Sequence, residues 1–202
     1  MAYDNSPTVF IVDDDQSVRR SLHFLLQSVG YHIESFANGR EFLDAVEHDA
    51  IGCLLLDVRM PQMGGFELQQ ELQDARFTLP IIFLTGNGDI PMTVRALKNG
   101  AFDFVEKPYN DQAIIDKVAA AIKLSSSTFA SRHSREHADQ MLSLLSKRER
   151  EVVNLLVKGM SSKVIARELD ISFKTVEVHR ANIRQKLAIN SVADLVRLVI
   201  EP

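Results

Sequence analysis

The sequence predicts an α/β protein, a doubly wound five-stranded parallel sheet, followed by an all-α four-helix domain. Three observations carry this reading. Through residue 123, five short apolar runs alternate with five helical patterns, as strands crossing over through helices require. From residue 143 every apolar pattern has helical spacing. Charge also divides with the pattern: residues 1–123 hold 18 acidic and 10 basic side chains, and residues 124–202 hold 9 and 13.

The strand and helix signals come in order. Thr8–Val12 is a run of strand formers closed by Asp13, Asp14 and Asp15. Val18, Leu22, Leu25, Leu26 and Val29 then recur at helical spacing until Gly30, with Asp15 placed to cap them. His32–Phe36 predicts a second strand, and Phe42, Leu43 and Val46 a short helix. Cys53–Val58 is apolar almost throughout, as a strand covered on both faces should be. Phe66, Leu68 and Leu72 predict the third helix, Ile81–Leu84 the fourth strand, and Met92–Lys98 a helix closed by Gly100. Phe102–Val105 and Ala113–Ile122 complete the sheet and its helices. Residues 124–142 are serine-rich and polar without an apolar stripe, which predicts a linker, partly helical where it continues the preceding helix.

The second half carries four helix-start signals. Ser146 with Glu149 forms a capping box ahead of Val152, Val153, Leu155 and Leu156. Ser161 or Ser162 can cap a short helix with Ile165, Ala166 and Leu169. Ser172 precedes a helix from Phe173 or Lys174 to Leu187, and Ser191 precedes the last one. A short helix, the Asp170-Ile171-Ser172 turn and a longer basic helix have helix-turn-helix order, in which the second helix enters a major groove. The expected division is thus 1–123, a linker over 124–142, and 143–202.

Composition limits the function classes. With 46% apolar and 25% charged residues, the 202-residue chain is not a disordered polymer. The net charge of −4 averages a first part at −8 and a second at +4, and this asymmetry suggests nucleic-acid binding by the second. The single cysteine, Cys53, excludes an internal disulfide or a Cys-rich metal site and reads as a buried small hydrophobe. No apolar run approaches the ~20 residues of a membrane span. Met1–Asn5 lacks a basic flank and a signal-like core, so a cytoplasmic protein without membrane association is expected.

Chemistry concentrates where strands end. Asp13-Asp14-Asp15, Asp57, Thr85-Gly86 and Lys107-Pro108 follow strands one, three, four and five, and in a parallel sheet those ends share one rim. Clustered carboxylates need a positive partner, and Mg²⁺ suits oxygen ligands, waters and a phosphoryl group. Lys107 adds a point charge and Thr85 a hydroxyl. Taken singly, each has an ordinary role as turn, cap or solvated charge; together at matching strand ends they favour a site.

The strings Ile11-Val12-Asp13-Asp14, Leu56-Asp57-Val58-Arg59-Met60-Pro61, Leu84-Thr85-Gly86 and Glu106-Lys107-Pro108 resemble the receiver domain of two-component response regulators, a flavodoxin-like fold. The resemblance implies that Asp57 is the phosphoacceptor for a sensor histidine kinase. It implies that Asp13, Asp14, Asp57 and the Arg59 backbone carbonyl hold Mg²⁺, that Thr85 and Lys107 contact the phosphoryl group, and that Lys107-Pro108 is cis. Thr85 and Phe104 would form the switch, Phe104 standing where a tyrosine is common and also serving as a core aromatic.

The strings Leu145–Val152, Gly159–Ala166 and Ile171–His179, followed by Lys186-Leu187, resemble the LuxR-type DNA-binding domain. The whole chain is similar to the FixJ/NarL class of response regulators. That implies no enzyme beyond its own phosphorylation and dephosphorylation, a homodimer when phosphorylated, and promoter DNA and RNA polymerase as partners, with transcription activated. Val176, Ile183 and Leu187 are expected to face the bundle and His179 to pack. Thr175, Glu177, Val178, Arg180, Ala181 and Arg184 are candidates for the groove and its walls, with Lys163, Lys174, Arg180 and Lys186 for phosphates. A Mg²⁺-dependent aspartyl phosphohydrolase is the alternative from another class, suggested by Asp13, Asp15 and Ser17, and it would use Asp13 as nucleophile.

Overall fold

In a computed structural model of the chain, residues 6–86 and 90–200 are described; Met1–Asn5, read above for a signal, lie outside them. The alternating apolar runs form β1 (Thr8–Val12), β2 (His32–Phe36), β3 (Gly52–Asp57), β4 (Ile81–Thr85) and β5 (Asp103–Glu106). Between them lie α1 (Gln16–Ser28), α2 (Gly39–Ala45), α3 (Gly65–Asp74) and α4 (Ile90–Lys98), with α5 (Asp111–Ser143) after β5. All pairings are parallel, in the order β2-β1-β3-β4-β5.

Strand alternation builds a core on each face of this sheet. Phe10, Val12, Leu54, Leu56, Ile81 and Phe83 pack with Phe42 of α2, Leu68 and Leu72 of α3 and Ala96 of α4. Val9, Ile11, Cys53, Leu55, Ile82 and Leu84 pack with Leu22 and Leu26 of α1 and with Ile114, Val118 and Ala121 of α5. Every residue of β3 and β4 is buried, which is why both read as unbroken apolar runs. The Asp15 carboxylate caps α1, accepting from the Ser17 amide at 2.7 Å.

The serine-rich stretch continues the preceding helix, and α5 runs without a break through Ser143. No glycine or proline interrupts residues 111–143. The hydroxyls of Ser127 and Ser143 donate back to the carbonyls of Leu124 and Gln140 instead of competing for the helix amides. Ser125 is buried and accepts from the Gly52 amide at 3.1 Å, so one residue of the polar run ties α5 to the start of β3. The chain forms two compact units, Met1–Phe129 and Ala130–Pro202.

In the second unit, α6 (Lys147–Leu156), α7 (Ser162–Glu168), α8 (Phe173–Leu187) and α9 (Val192–Ile200) close around Val152, Val153, Leu156, Ile165, Val176, Ile183, Leu187 and Leu195. The Ser146 amide donates to Glu149 Oε2 at 2.7 Å and the Glu149 amide to Ser146 Oγ at 3.3 Å, completing the capping box. Ser172 and Ser191 cap α8 and α9 through the amides of Thr175 and Asp194. Ser161 stands at the N-cap of α7 without a side-chain hydrogen bond, and the Ser162 hydroxyl instead accepts from Arg180 of α8.

Glu149 also pairs with Lys186, Nζ to Oε2 at 2.7 Å, joining the start of α6 to the end of α8. The Lys186 hydrogen bond, helped by those from Ser146, holds its carboxyl at about 2, below its ordinary 4.5. A depressed folded-state pKa stabilises fully above the unfolded value and is lost as pH falls through the folded one. The second unit should therefore lose stability between about pH 5 and pH 2. Denaturant unfolding followed through amide resonances of α6 and α8 should show that loss, and Glu149→Gln should make it shallower.

Candidate functional site

The order of the parallel sheet reverses between β1 and β3, and such a switch point leaves a crevice beyond the carboxyl ends of the strands. Val12 and Leu56 are partners in register, so the chain delivers Asp13 and Asp57 side by side. Both are buried, at 1% and 7% exposure. Lys107 follows β5 through a cis bond to Pro108, and its amide donates to the Thr85 carbonyl at 2.6 Å. Its Nζ lies 2.7 Å from Asp13 Oδ2 and 2.7 Å from Asp57 Oδ1. One ammonium thus bridges two carboxylates that come from strands 44 residues apart in sequence.

The remaining oxygens are held by backbone amides. Asp13 Oδ1 accepts from the Asp15 amide at 2.9 Å, and Asp57 Oδ2 from the Arg59 amide at 2.6 Å. Burial raises the Asp13 pKa even against the opposing pull of Lys107. Burial also works against the Lys107 ammonium, but its bonds to Asp13 and Asp57 outweigh that and hold its pKa above the usual lysine value. Beside Asp57 opens a cleft of about 220 Å³ lined by Asp57, Arg59, Thr85 and Gly86. Gly65, the first residue of α3, packs so closely that a Cβ there would lie 2.4 Å from the Asp57 carbonyl oxygen.

Asp14 is exposed at the same rim. Among the described residues, no three acidic, histidine or cysteine side chains close into a metal cage. Two buried carboxylates, an exposed third and an open cleft nevertheless fit Mg²⁺, which takes one or two carboxylates and keeps several waters. Thr85 is buried on the sheet face that also carries Phe83, and Phe104, the register partner of Phe83, is half-buried there. Arg19, which the sequence reading passed over, donates from Nη1 to the carbonyls of Asp13 at 2.6 Å and Asp14 at 3.0 Å. The available signal was a basic residue in the opening turns of a helix, where the macrodipole disfavours it.

The candidate nucleic-acid face lies on α7 and α8. Lys163, Lys174, Thr175, Val178, Ala181 and Arg184 are exposed, while Val176, Ile183 and Leu187 are buried as expected. Two of the basic candidates also have partners within the unit. Arg180 is half-buried, bonded to Ser162 Oγ and 3.6 Å from Glu177 Oε1, so it links α8 to α7. Lys186 is turned to the buried Glu149. Both contacts have one cause, since short packed helices bring groups into reach that are distant in sequence. Glu177 and His179 are half-buried. Val164 and Phe173, at 45% and 51% exposure, add apolar surface that charge counting did not suggest.

A parallel sheet with a lysine-bridged carboxylate pair at its switch point, followed by a helix-turn-helix unit, defines a two-component receiver joined to a DNA-binding module. The pattern of the "Response regulator receiver domain" matches residues 9–119, and that of "Bacterial regulatory proteins, luxR family" matches residues 143–199. The chain is 44% identical over 196 residues to the transcriptional regulatory protein TdiR of Thauera aromatica, covering 97% of this chain and 86% of that one. It is 40% identical over 192 residues to FixJ of Bradyrhizobium diazoefficiens, covering 95% and 94%. Among solved structures, response regulator StyR superposes with a TM-score of 0.87 at 45% identity, covering 98% of this chain and all of that one. Full-length FixJ from B. japonicum gives 0.58 at 38% identity, with 96% of both chains covered. The chain belongs to the response regulators that carry a receiver and a LuxR-type DNA-binding domain, and it is a transcriptional regulator.

Removing the bridging cation should leave two buried carboxylates facing each other. In Lys107→Met, a carboxyl-carbon NMR titration should find Asp13 taking up its proton at higher pH than in the wild type.

Proposed function

We propose that Asp57 accepts a phosphoryl group from the phosphohistidine of a sensor kinase and that this modification controls DNA binding. The observation carrying this reading is the single Lys107 ammonium 2.7 Å from both Asp13 and Asp57 beside an open cleft. A carboxylate oxygen of Asp57 attacks phosphorus, the P–N bond breaks, and its electron pair leaves with the imidazole, which takes a proton from solvent. The group is lost by attack of water on the same phosphorus, which breaks its bond to the Asp57 oxygen, restores the carboxylate and releases phosphate. The chain catalyses only these two steps on itself, and positioning with charge neutralisation does most of the work.

Asp13, Asp14, Asp57 and the Arg59 carbonyl would hold Mg²⁺, which supplies positive charge to the phosphoryl oxygens. Lys107 pairs with a phosphoryl oxygen and the Thr85 hydroxyl donates to another. Movement of Thr85 toward the phosphoryl group makes room on its sheet face for Phe104, shifting the surface of α4 and β5. That surface includes Val94 and Leu97, both more than 40% exposed, with Arg95 and Lys98. It is suited to a second copy of the chain, so phosphorylation biases a dimer.

A dimer places two recognition helices on two half-sites of a promoter and multiplies the affinity of each. On α8, Thr175, Glu177, Val178 and Ala181 face the groove and Arg184 its phosphate wall, with Lys163, Lys174, Arg180 and Lys186 toward phosphates. The bound dimer recruits RNA polymerase and activates transcription in the cytoplasm. The working division is 1–123 for reception, 124–142 for connection and 143–202 for DNA.

Labelling with a small phosphodonor and Mg²⁺, followed by peptide mapping, should place the group on Asp57. Asp57→Asn should abolish the label and the gain in DNA affinity, whereas a label on Asp13 would overturn the assignment. Arg184→Ala should weaken promoter binding and lower the slope of log affinity against log salt by about 1. Lys186→Ala should also lower the stability of the second unit, seen as earlier denaturant unfolding.

A further inference from the structure

Three aspartates in succession are a poor local design for a turn, because each carboxylate repels its neighbours and one of them is buried. Asp13 is nevertheless held at three points. Its Oδ2 meets Lys107, its Oδ1 meets the Asp15 amide, and its carbonyl accepts from Arg19. The same Arg19 nitrogen donates its second hydrogen to the carbonyl of Asp14. No other hydrogen bond described above orients the exposed Asp14. Arg19 and Arg20 stand in the opening turns of α1, whose first turn has no acidic residue, against the preference of the helix dipole. A basic residue placed against that preference calls for a compensating contact, and for Arg19 the contact is the acidic loop.

We propose that Arg19 is a positioning residue for the rim, clamping the loop between β1 and α1 so that the Asp13 and Asp14 carboxylates can share a divalent cation. The inference rests on the reading of the rim given under Proposed function. Two carbonyls on successive residues fix the peptide plane between them, and that plane sets the directions in which both side chains leave the backbone. The clamp uses none of the contacts of Lys107. The guanidinium also brings a permanent positive charge within reach of a loop bearing three negative ones.

Arg19→Met keeps much of the aliphatic stem and removes both hydrogen bonds. Arg19→Lys keeps the charge without the planar two-hydrogen end. Mg²⁺ titration of the unphosphorylated full chain, read by calorimetry and amide chemical shifts, should give about a tenfold weaker dissociation constant for Arg19→Met. Arg19→Lys should recover part of that loss. The Mg²⁺ concentration for half-maximal phosphodonor labelling should rise by a similar factor, with the rate at saturating Mg²⁺ much less changed. A lower melting temperature with wild-type Mg²⁺ affinity would overturn the proposal and leave Arg19 a purely structural residue. Failure of the wild-type chain to bind Mg²⁺ or to be labelled on Asp57 would overturn the reading of the rim, and the clamp with it.

Discussion

Two carboxylates drawn together at the end of a parallel sheet repel each other, and burial makes each charge expensive. Asp13 and Asp57 are in that position, and Lys107 is the counter-charge that allows it. A single ammonium against two carboxylates leaves the rim net negative, with an open cleft beside it. Such a place favours a hard cation and, with that cation, an anionic phosphoryl group that the carboxylates alone would repel. The fold serves this arrangement closely. The β1–β3 register sets the carboxylates side by side, and the loop after β5 carries the lysine. Gly65 lets α3 begin directly against the Asp57 backbone.

The second unit handles its charges in the opposite way. Its excess of basic residues is partly consumed inside the structure: Lys186 on Glu149, Arg180 on Ser162 and Glu177, and Arg148 on the last carbonyl of the α7 region at Leu169. These ties orient α8 relative to α6 and α7. The exposed remainder, with Lys174, Val178, Ala181 and Arg184 along α8, mixes apolar with basic side chains. A groove contact of this kind joins phosphate attraction to apolar contact with base edges. Net charge by unit is therefore a guide to the partner class.

Strand positions were legible in the sequence because short runs of strand-forming residues, unbroken and apolar in β3 and β4, mark them. β1 and β2 fall where the patterns of Thr8–Val12 and His32–Phe36 put them. The caps at Asp15, Ser146 and Ser172 were legible for a similar reason, since each satisfies amides only two or three residues away. The course of residues 124–142 was legible only in part, as a continuation of the preceding helix whose full length the pattern did not fix. Serine can interrupt a helix or join it, and the outcome depends on whether its hydroxyl turns back onto its own helix or, like Ser125, meets a distant amide.

By itself, then, the sequence determined the order of elements, the faces they bury and which chemical groups stand at strand ends, because these follow from local periodicity and short-range hydrogen bonding. Tertiary structure alone decided which charges meet. Lys107 reaches Asp13 and Asp57, Arg19 turns back to the carbonyls of the acidic loop, and Lys186 and Arg180 meet partners on other helices. Coulombic and hydrogen-bonding partners are set by distances of a few ångströms between segments far apart in the chain. No local pattern encodes those distances until the sheet and the helical bundle have closed.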